Sequence, residues 1–298
     1  MEQMRLLCYN SANCKSGGNV LKSKIVIAGL GLIGGSLAKA FHELNNFSVV
    51  GIDSSEEAVN AALNCGAIEK AGTDDDIRHA GMIFLCMYPE GCISFVEKHL
   101  SAIRPGCLVA DTCGIKSWLC PRMKKLAEKS GFIFVGSHPM AGKETSGFAS
   151  SDAGLFRGAS WILVPCGAPR EAVERLKLLA PKLGFARTVE TTPEGHDRMI
   201  AFTSQLPHVL ACAYVMSPQC PSHSGFSAGS YHDVSRVAHI NEGMWTELFL
   251  ENSEALTEEL DTFTTHIGEI RNAIASRDAA TLRRLLRRSR LVKEGLGE

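Results

Sequence analysis

The chain has 298 residues, with 31 Lys or Arg against 32 Asp or Glu and a formal net charge of −1. A nearly neutral chain has no global field to steer it to nucleic acid or an anionic membrane surface, so any ligand must be recognised locally. The length suits two domains of about 150 residues each, and eleven cysteines, an odd number with no C-x-x-C pair, give neither a disulfide framework nor a zinc site.

Residues 1–23 lack the basic start, long apolar stretch and small-residue cleavage site of a signal peptide, and read as a tail. No run of about 18 apolar residues occurs anywhere, so no membrane span is expected. Most cysteines, such as Cys86 and Cys212, sit in apolar runs as small core residues, which points to a reducing compartment, the cytoplasm.

Across residues 24–190, apolar runs of strand length (KIVIA, SVVGID, MIFLCM, CLVAD, FIFVGSH, WILVP, ARTVE) alternate with helix-like segments such as 56–65 and 115–129. This alternation predicts an α/β domain with a mostly parallel sheet covered by helices. The strands are apolar throughout, as expected when both faces are buried.

The first run leads into a glycine-rich turn in which Gly29, Gly31 and Gly34 fit G-x-G-x-x-G. The first glycine permits the tight turn, the second lets backbone approach a pyrophosphate, and the third lets helix pack on strand. Leu32 and Ile33 open the helix whose unpaired N–H groups would face the phosphates. The second run ends in Asp53, about 20 residues on, where a carboxylate would bind a ribose 2′-hydroxyl. Asp53 would repel a 2′-phosphate, Ser54 and Ser55 beside it could accept one, and no arginine follows, so NAD is expected over NADP.

Three later strand ends are rich in chemistry. Cys86, Met87 and Pro89 form a loop that either passes the nicotinamide ribose or simply ends a strand. Asp111-Thr112-Cys113-Gly114-Ile115-Lys116 is either a helix cap or a cofactor neighbour. In 136–144, GSHPMAGKE, His138 ends an apolar strand and is fixed by the proline after it.

Beyond Glu190 the pattern turns helical, which places a domain boundary near residue 190. Thr191-Thr-Pro-Glu194 reads as a capping box opening a helix through Met216, with Pro207 kinking it beside His208. A Ser/Pro/Gly-rich loop over 217–230 precedes helices at about 233–238, 244–274 and 279–293. The basic run 283–290 reads as a solvated helix face.

GLGLIGGS, DTCGIK, GSHPMAGKE, QLPH, YHDVSRVA and the Met244-Trp245 pair, in that order over about residues 24–293, resemble the prephenate dehydrogenase family, which includes arogenate dehydrogenases. The resemblance implies a modified Rossmann nucleotide-binding domain (24–190) followed by an all-α dimerisation domain (191–298). It also implies NAD-dependent oxidative decarboxylation of prephenate to 4-hydroxyphenylpyruvate in tyrosine biosynthesis, with arogenate as the alternative substrate.

On that resemblance His138 is the base that takes the substrate hydroxyl proton, and Arg236 holds a carboxylate. His208 orients substrate or closes the cleft, Glu144 gates the site or tunes His138, and Thr112 lies near the cofactor. Relatives commonly carry serine where this chain has Gly114, so the contact of that hydroxyl must come from elsewhere. No metal is expected, and a homodimer through the helical half is. No ACT-like or mutase segment is visible, so tyrosine feedback, if present, would act at the active site. Two competing readings remain: a β-hydroxyacid dehydrogenase, disfavoured because residues 191–216 contain no lysine, and a non-catalytic NAD sensor.

Overall fold

The computed structural model describes residues 22–297. The expected tail therefore lies mostly outside the described residues, and the first strand already begins at Ser23.

Eight strands form one sheet: β1 (Ser23–Ala28), β2 (Phe47–Ile52), β3 (Lys70–Ala71), β4 (Met82–Leu85), β5 (Leu108–Asp111), β6 (Ile133–Pro139), β7 (Ser160–Val164) and β8 (Arg187–Glu190). Their order is β3-β2-β1-β4-β5-β6-β7-β8. Strands β1 to β6 are parallel; β7 runs antiparallel to β6, pairing His138 with Ile162, and β8 runs parallel to β7. The seven expected strands are all present. The two-residue β3 has no apolar run to announce it.

Six helices connect these strands: α1 (Leu32–Glu43), α2 (Glu56–Asn64), α3 (Asp74–His79), α4 (Pro89–Lys98), α5 (Leu119–Ser130) and α6 (Arg170–Leu179). Side chains alternate along each strand, so the sheet feeds two cores. Ile25 and Ile27 join Phe41, Phe84 and Trp161 on one face. Val26 and Ala28 join Ile83, Val109 and Met123 on the other. Phe84 and Trp161 are almost fully buried, and truncating either to alanine costs about 3–5 kcal/mol. The segment expected as a helix from residue 115 starts only at Leu119, because Ile115 and Lys116 are still in the buried loop after β5.

The chain then becomes helical: α7 (Pro193–Ile200), α8 (Leu206–Val215), α9 (Gly229–Ser235), α10 (Glu242–Glu251), α11 (Ser253–Ala275) and α12 (Ala279–Gly295). The expected capping box shifts by one residue. Thr192, not Thr191, caps α7 by accepting from Gly195 N at 3.1 Å, with Pro193 at the first helical position. Glu194 is thus one place too early to close the box.

The kink at Pro207 takes the form of a π-turn over Ala201–Gln205 between α7 and α8. Proline has no N–H to give the preceding turn, and a one-residue expansion absorbs the defect. The single helix expected over 244–274 is broken at Asn252, which is buried and turned inward. Among the described residues no helix is long and apolar enough to cross a membrane.

Candidate active site

The sheet order places β1 beside β4, and a crevice opens at the carboxyl ends of these central strands. The glycine-rich turn lies there. Gly29 has φ +91°, and a Cβ on it would fall 2.3 Å from the Cys86 carbonyl oxygen; one on Gly34 would fall 1.8 Å from Gly29 O. Both positions require glycine. A Cβ on Gly31 would meet nothing within 4 Å, so the backbone faces open space at the start of α1. That helix start has no side-chain cap and no acid in its first turn. Free N–H groups and an uncompensated positive helix end fit the phosphates of a dinucleotide.

Asp53 stands at the end of β2 as expected, but its carboxylate already serves the turn. Its oxygens accept from Leu30 N at 2.5 Å and Ser55 N at 2.8 Å. Each carboxylate oxygen has further lone-pair capacity, so a ribose hydroxyl can still be accepted. Ser54 is exposed, whereas the Ser55 hydroxyl caps α2 through Ala58 N. Cys86 and Met87 follow β4 at the crevice, and Pro89 opens α4. The Cys86 thiol is pushed up by burial. Thr112 follows β5, its N–H and hydroxyl both directed to Leu85 O.

Beneath these loops lies a buried ion pair. The Lys116 ammonium donates to Asp111 Oδ2 at 2.7 Å and to the carbonyls of Cys113 and Ile115. Asp111 also accepts from Cys113 N and Ser137 N, so one carboxylate ties the loop after β5 to β6 just before His138. Burial alone would lower the Lys116 pKa, but Asp111 holds it above the ordinary lysine value.

His138 sits at the end of β6 with Gly114 beside it: a Cβ on Gly114 would lie 3.9 Å from His138 Cε1 and 3.6 Å from Leu248 Cδ2. The His138 Nδ1 is 3.0 Å from Nε2 of His196 on α7. His196 Nδ1 in turn lies 2.6 Å from Asp197 Oδ1. The Asp197 carboxylate also accepts from Lys116 N and Ser117 N. Burial, the neighbouring His196 and the Lys116 charge together hold the His138 pKa well below the usual histidine range. Burial also lowers His196, although Asp197 pulls the other way.

His196 and Asp197 are the functional candidates that sequence reasoning missed. Their signal was a His-Asp pair in the first turns of the helix immediately after the domain change. Reading that stretch for its cap concealed it.

His208 follows the π-turn and donates from Nδ1 to Ser204 O at 2.8 Å. Its ring stacks on Trp245, with centroids 3.8 Å apart. Burial leads its pKa downward, and the Arg236 charge acts in the same direction. Trp245 and Leu248 share one face of α10, so this helix connects the surroundings of His208 to the Gly114–His138 corner. Gln205 and Asn252 fasten α10 and α11 to α7: Asn252 Nδ2 donates to Asp197 O and Gln205 Oε1, and Gln205 Nε2 donates to Leu248 O.

Arg236, just past α9, pairs with Glu144 at 2.7 Å, both side chains more than half exposed. A backbone hydrogen bond and Arg236 hold Glu144 below the usual carboxylate range. Arg236 thus reaches the loop that follows β6, and α10 brings Leu248 against Gly114 after β5, with His208 behind it on Trp245.

Comparison with known proteins identifies the family. Residues 37–188 match the family model for the prephenate dehydrogenase nucleotide-binding domain, and residues 192–288 match that for the prephenate dehydrogenase dimerisation domain. The chain is 31% identical to prephenate dehydrogenase of Bacillus subtilis, over 93% of this chain and 77% of the relative. It is 32% identical to cyclohexadienyl dehydrogenase of Zymomonas mobilis, over 85% and 89%. In fold it resembles the Aquifex aeolicus prephenate dehydrogenase solved with hydroxyphenyl propionate and NAD+ (TM-score 0.82, 24% identity, 94% of this chain and 100% of that one). On two matched domains and relatives aligned over most of its length, the chain belongs to the prephenate dehydrogenase family.

Proposed function

We propose that this protein is an NAD-dependent prephenate dehydrogenase, converting prephenate to 4-hydroxyphenylpyruvate and CO2. The observation that carries the reading is His138. It is a histidine at the carboxyl end of β6, its pKa held well below the usual histidine range by its surroundings, bordered by Gly114 of the loop after β5.

The assigned roles follow from position. Gly29, Gly31, Leu32, Ile33 and Gly34 cradle the pyrophosphate, Asp53 takes the adenosine ribose, and Cys86, Met87, Pro89 and Thr112 border the nicotinamide side. When bound, NAD supplies the hydride acceptor. The carbinol C–H bond breaks with its electron pair leaving as hydride, while the hydroxyl proton passes to His138. Nδ1 is engaged by His196, so Nε2 is the receiving atom. The bond from the ring to its carboxylate then breaks, CO2 leaves, and the electrons pass through the ring to the oxygen, which recovers a proton. Aromatisation drives that step.

Arg236 holds a substrate carboxylate, a planar fork suited to bidentate recognition. His208 and Trp245 form one wall. Helices α7 to α12 close the cleft and carry the homodimer contact, a reading supported by the match to a dimerisation domain. The cytoplasm is the compartment we assign: all nine described cysteines are free, with Cys92 Sγ and Cys113 Sγ 3.5 Å apart as thiols.

One observation favours a second substrate. The Arg236–Glu144 pair offers a cation and an anion side by side, matching the ammonium and carboxylate of an α-amino acid. Arogenate carries that head group, where prephenate has a keto acid. Absorbance at the reduced-nicotinamide band with NAD or NADP, and prephenate or arogenate, separates these readings. Rapid reduction of NAD with prephenate is expected. Turnover of arogenate alone would keep the chemistry and change the substrate, and no turnover in any combination would refute the assignment.

A further inference from the structure

Resting on the reading of His138 as the base, we propose that His196 and Asp197 are its positioning residues: an Asp–His–His relay fixes which nitrogen of His138 takes the proton and steadies the charge it acquires.

Asp197 is buried, and its carboxylate accepts three N–H donors: Lys116 N at 2.7 Å, Ser117 N at 2.6 Å and His196 Nδ1 at 2.6 Å. Backbone N–H groups can only donate, so two of these contacts fix the carboxylate as an acceptor. Burial pushes the Asp197 pKa up, but hydrogen bonds from His196 and Ser117 outweigh it and hold the acid ionised. The proton between Asp197 and His196 therefore belongs to His196 Nδ1.

His196 is 1% exposed. Burial and the Lys116 ammonium favour its neutral form, so with Nδ1 protonated its Nε2 has only a lone pair to offer. That lone pair faces His138 Nδ1 at 3.0 Å, which must then carry the hydrogen. His138 Nε2 is left bare, directed away from the relay. Each bond sets the next tautomer, as a buried carboxylate sets that of a single histidine in a hydrolase triad.

The relay also acts after proton transfer. When His138 takes the hydroxyl proton, its Nδ1–H bond to His196 becomes charge-assisted, and the Asp197 carboxylate lies one ring further along the same line. Gly114 provides no hydroxyl to hold His138, and a Cβ there would meet only Leu248 and the His138 ring itself within 4 Å. Support comes instead from behind the ring, through α7. Asn252 fixes α7 in turn by donating to the Asp197 carbonyl at 2.9 Å.

The direct test is the tautomer. The full chain, labelled with 15N-histidine, would be studied by long-range 1H–15N correlation at neutral pH, with the His138 signals assigned by their loss in His138→Asn. The expected spectrum has His138 protonated at Nδ1 and bare at Nε2. A proton on Nε2 in the wild-type protein would overturn the relay, whatever the substrate proves to be.

Kinetics provide the second readout. His196→Leu keeps the bulk but removes the acceptor, so kcat should fall about tenfold or more while the Kd for NAD stays unchanged. His196→Gln, whose amide oxygen can accept the same bond, should recover part of the loss. A purely packing role predicts the reverse order, with the apolar variant better tolerated, and that result would overturn the proposal. Should His196→Leu fail to fold, the wild-type spectrum and His196→Gln still decide it. Absence of turnover with every dienol would refute the assigned reaction and leave the tautomer result standing.

Discussion

Arg236 Nη1 lies 2.7 Å from Glu144 Oε1, joining the end of α9 to the loop that follows His138. The pair is exposed and contributes little to stability by itself. On the proposed role of Arg236 its consequence lies in recognition, because a substrate carboxylate would share the guanidinium with Glu144 or displace it. Arg236→Lys should raise KM for both prephenate and arogenate by about tenfold, since an ammonium cannot reproduce the planar fork. Glu144→Gln should raise KM for arogenate and leave that for prephenate equal or lower. Equal effects of Glu144→Gln on the two substrates would remove Glu144 from head-group recognition.

His138→Asn should bind NAD as the wild type does and lose turnover by roughly 10²- to 10⁴-fold. As the proposed base, His138 acts in its neutral form, and its pKa is depressed by burial, His196 and Lys116. Activity should therefore be level above pH 6.5, the unperturbed value, and fall only as the pH drops through the lowered pKa. An acidic limb of kcat/KM centred above pH 6.5 would contradict the environment assigned to this ring.

The Asp111–Lys116 pair is fully buried, and Asp111 also holds Ser137 N. Removing one partner leaves an uncompensated charge in the core, a loss of about 3–5 kcal/mol. Asp111→Ala should lower Tm markedly and, by freeing the backbone before His138, lower activity beyond the folded fraction. Thermal unfolding of Asp111→Ala within a degree or two of wild type would show that the pair is not needed.

Gly114→Ser introduces a Cβ whose nearest neighbours lie at ordinary contact distances, 3.6 and 3.9 Å. Stability should change by less than about 0.5 kcal/mol. With the base supported through His196 as proposed, turnover should stay within about threefold of wild type. A tenfold gain would mean that the glycine leaves a real gap in proton handling.

The helical half exposes Phe202, Tyr214, Met216, Phe226, Leu250, Ile267 and Ile274. Exposed large apolar side chains in this number are expected to be covered by a partner, and the proposed two-fold dimer would cover them with one self-complementary surface. Light scattering at micromolar concentration should give twice the chain mass of 32.1 kDa. A monomer mass would refute the interface.

The sheet was legible because its strands are continuous apolar runs, and the glycine turn because only glycine tolerates the contacts at residues 29 and 34. His138 could be found as a polar residue ending such a run. Helix breaks were harder to read. The interruption at Asn252 comes from a buried side chain bonding across to Gln205, a long-range cause that leaves no local signal. The shift of the α7 cap by one residue arose because both Thr191 and Thr192 have the right chemistry and only the fold chooses. His196 and Asp197 escaped for a related reason: the His-Asp pair is visible in the sequence, but its meaning depends on His196 meeting His138 at the end of β6, which no spacing encodes.

The central claim, oxidation coupled to decarboxylation with His138 as base, is tested most directly by following reduced nicotinamide and CO2 together, with prephenate and NAD, in wild type and His138→Asn. Equal amounts of the two products are expected from the wild type, and near-silence in both channels from the variant. Reduced nicotinamide without CO2, or a His138→Asn enzyme that turns over like the wild type, would contradict it.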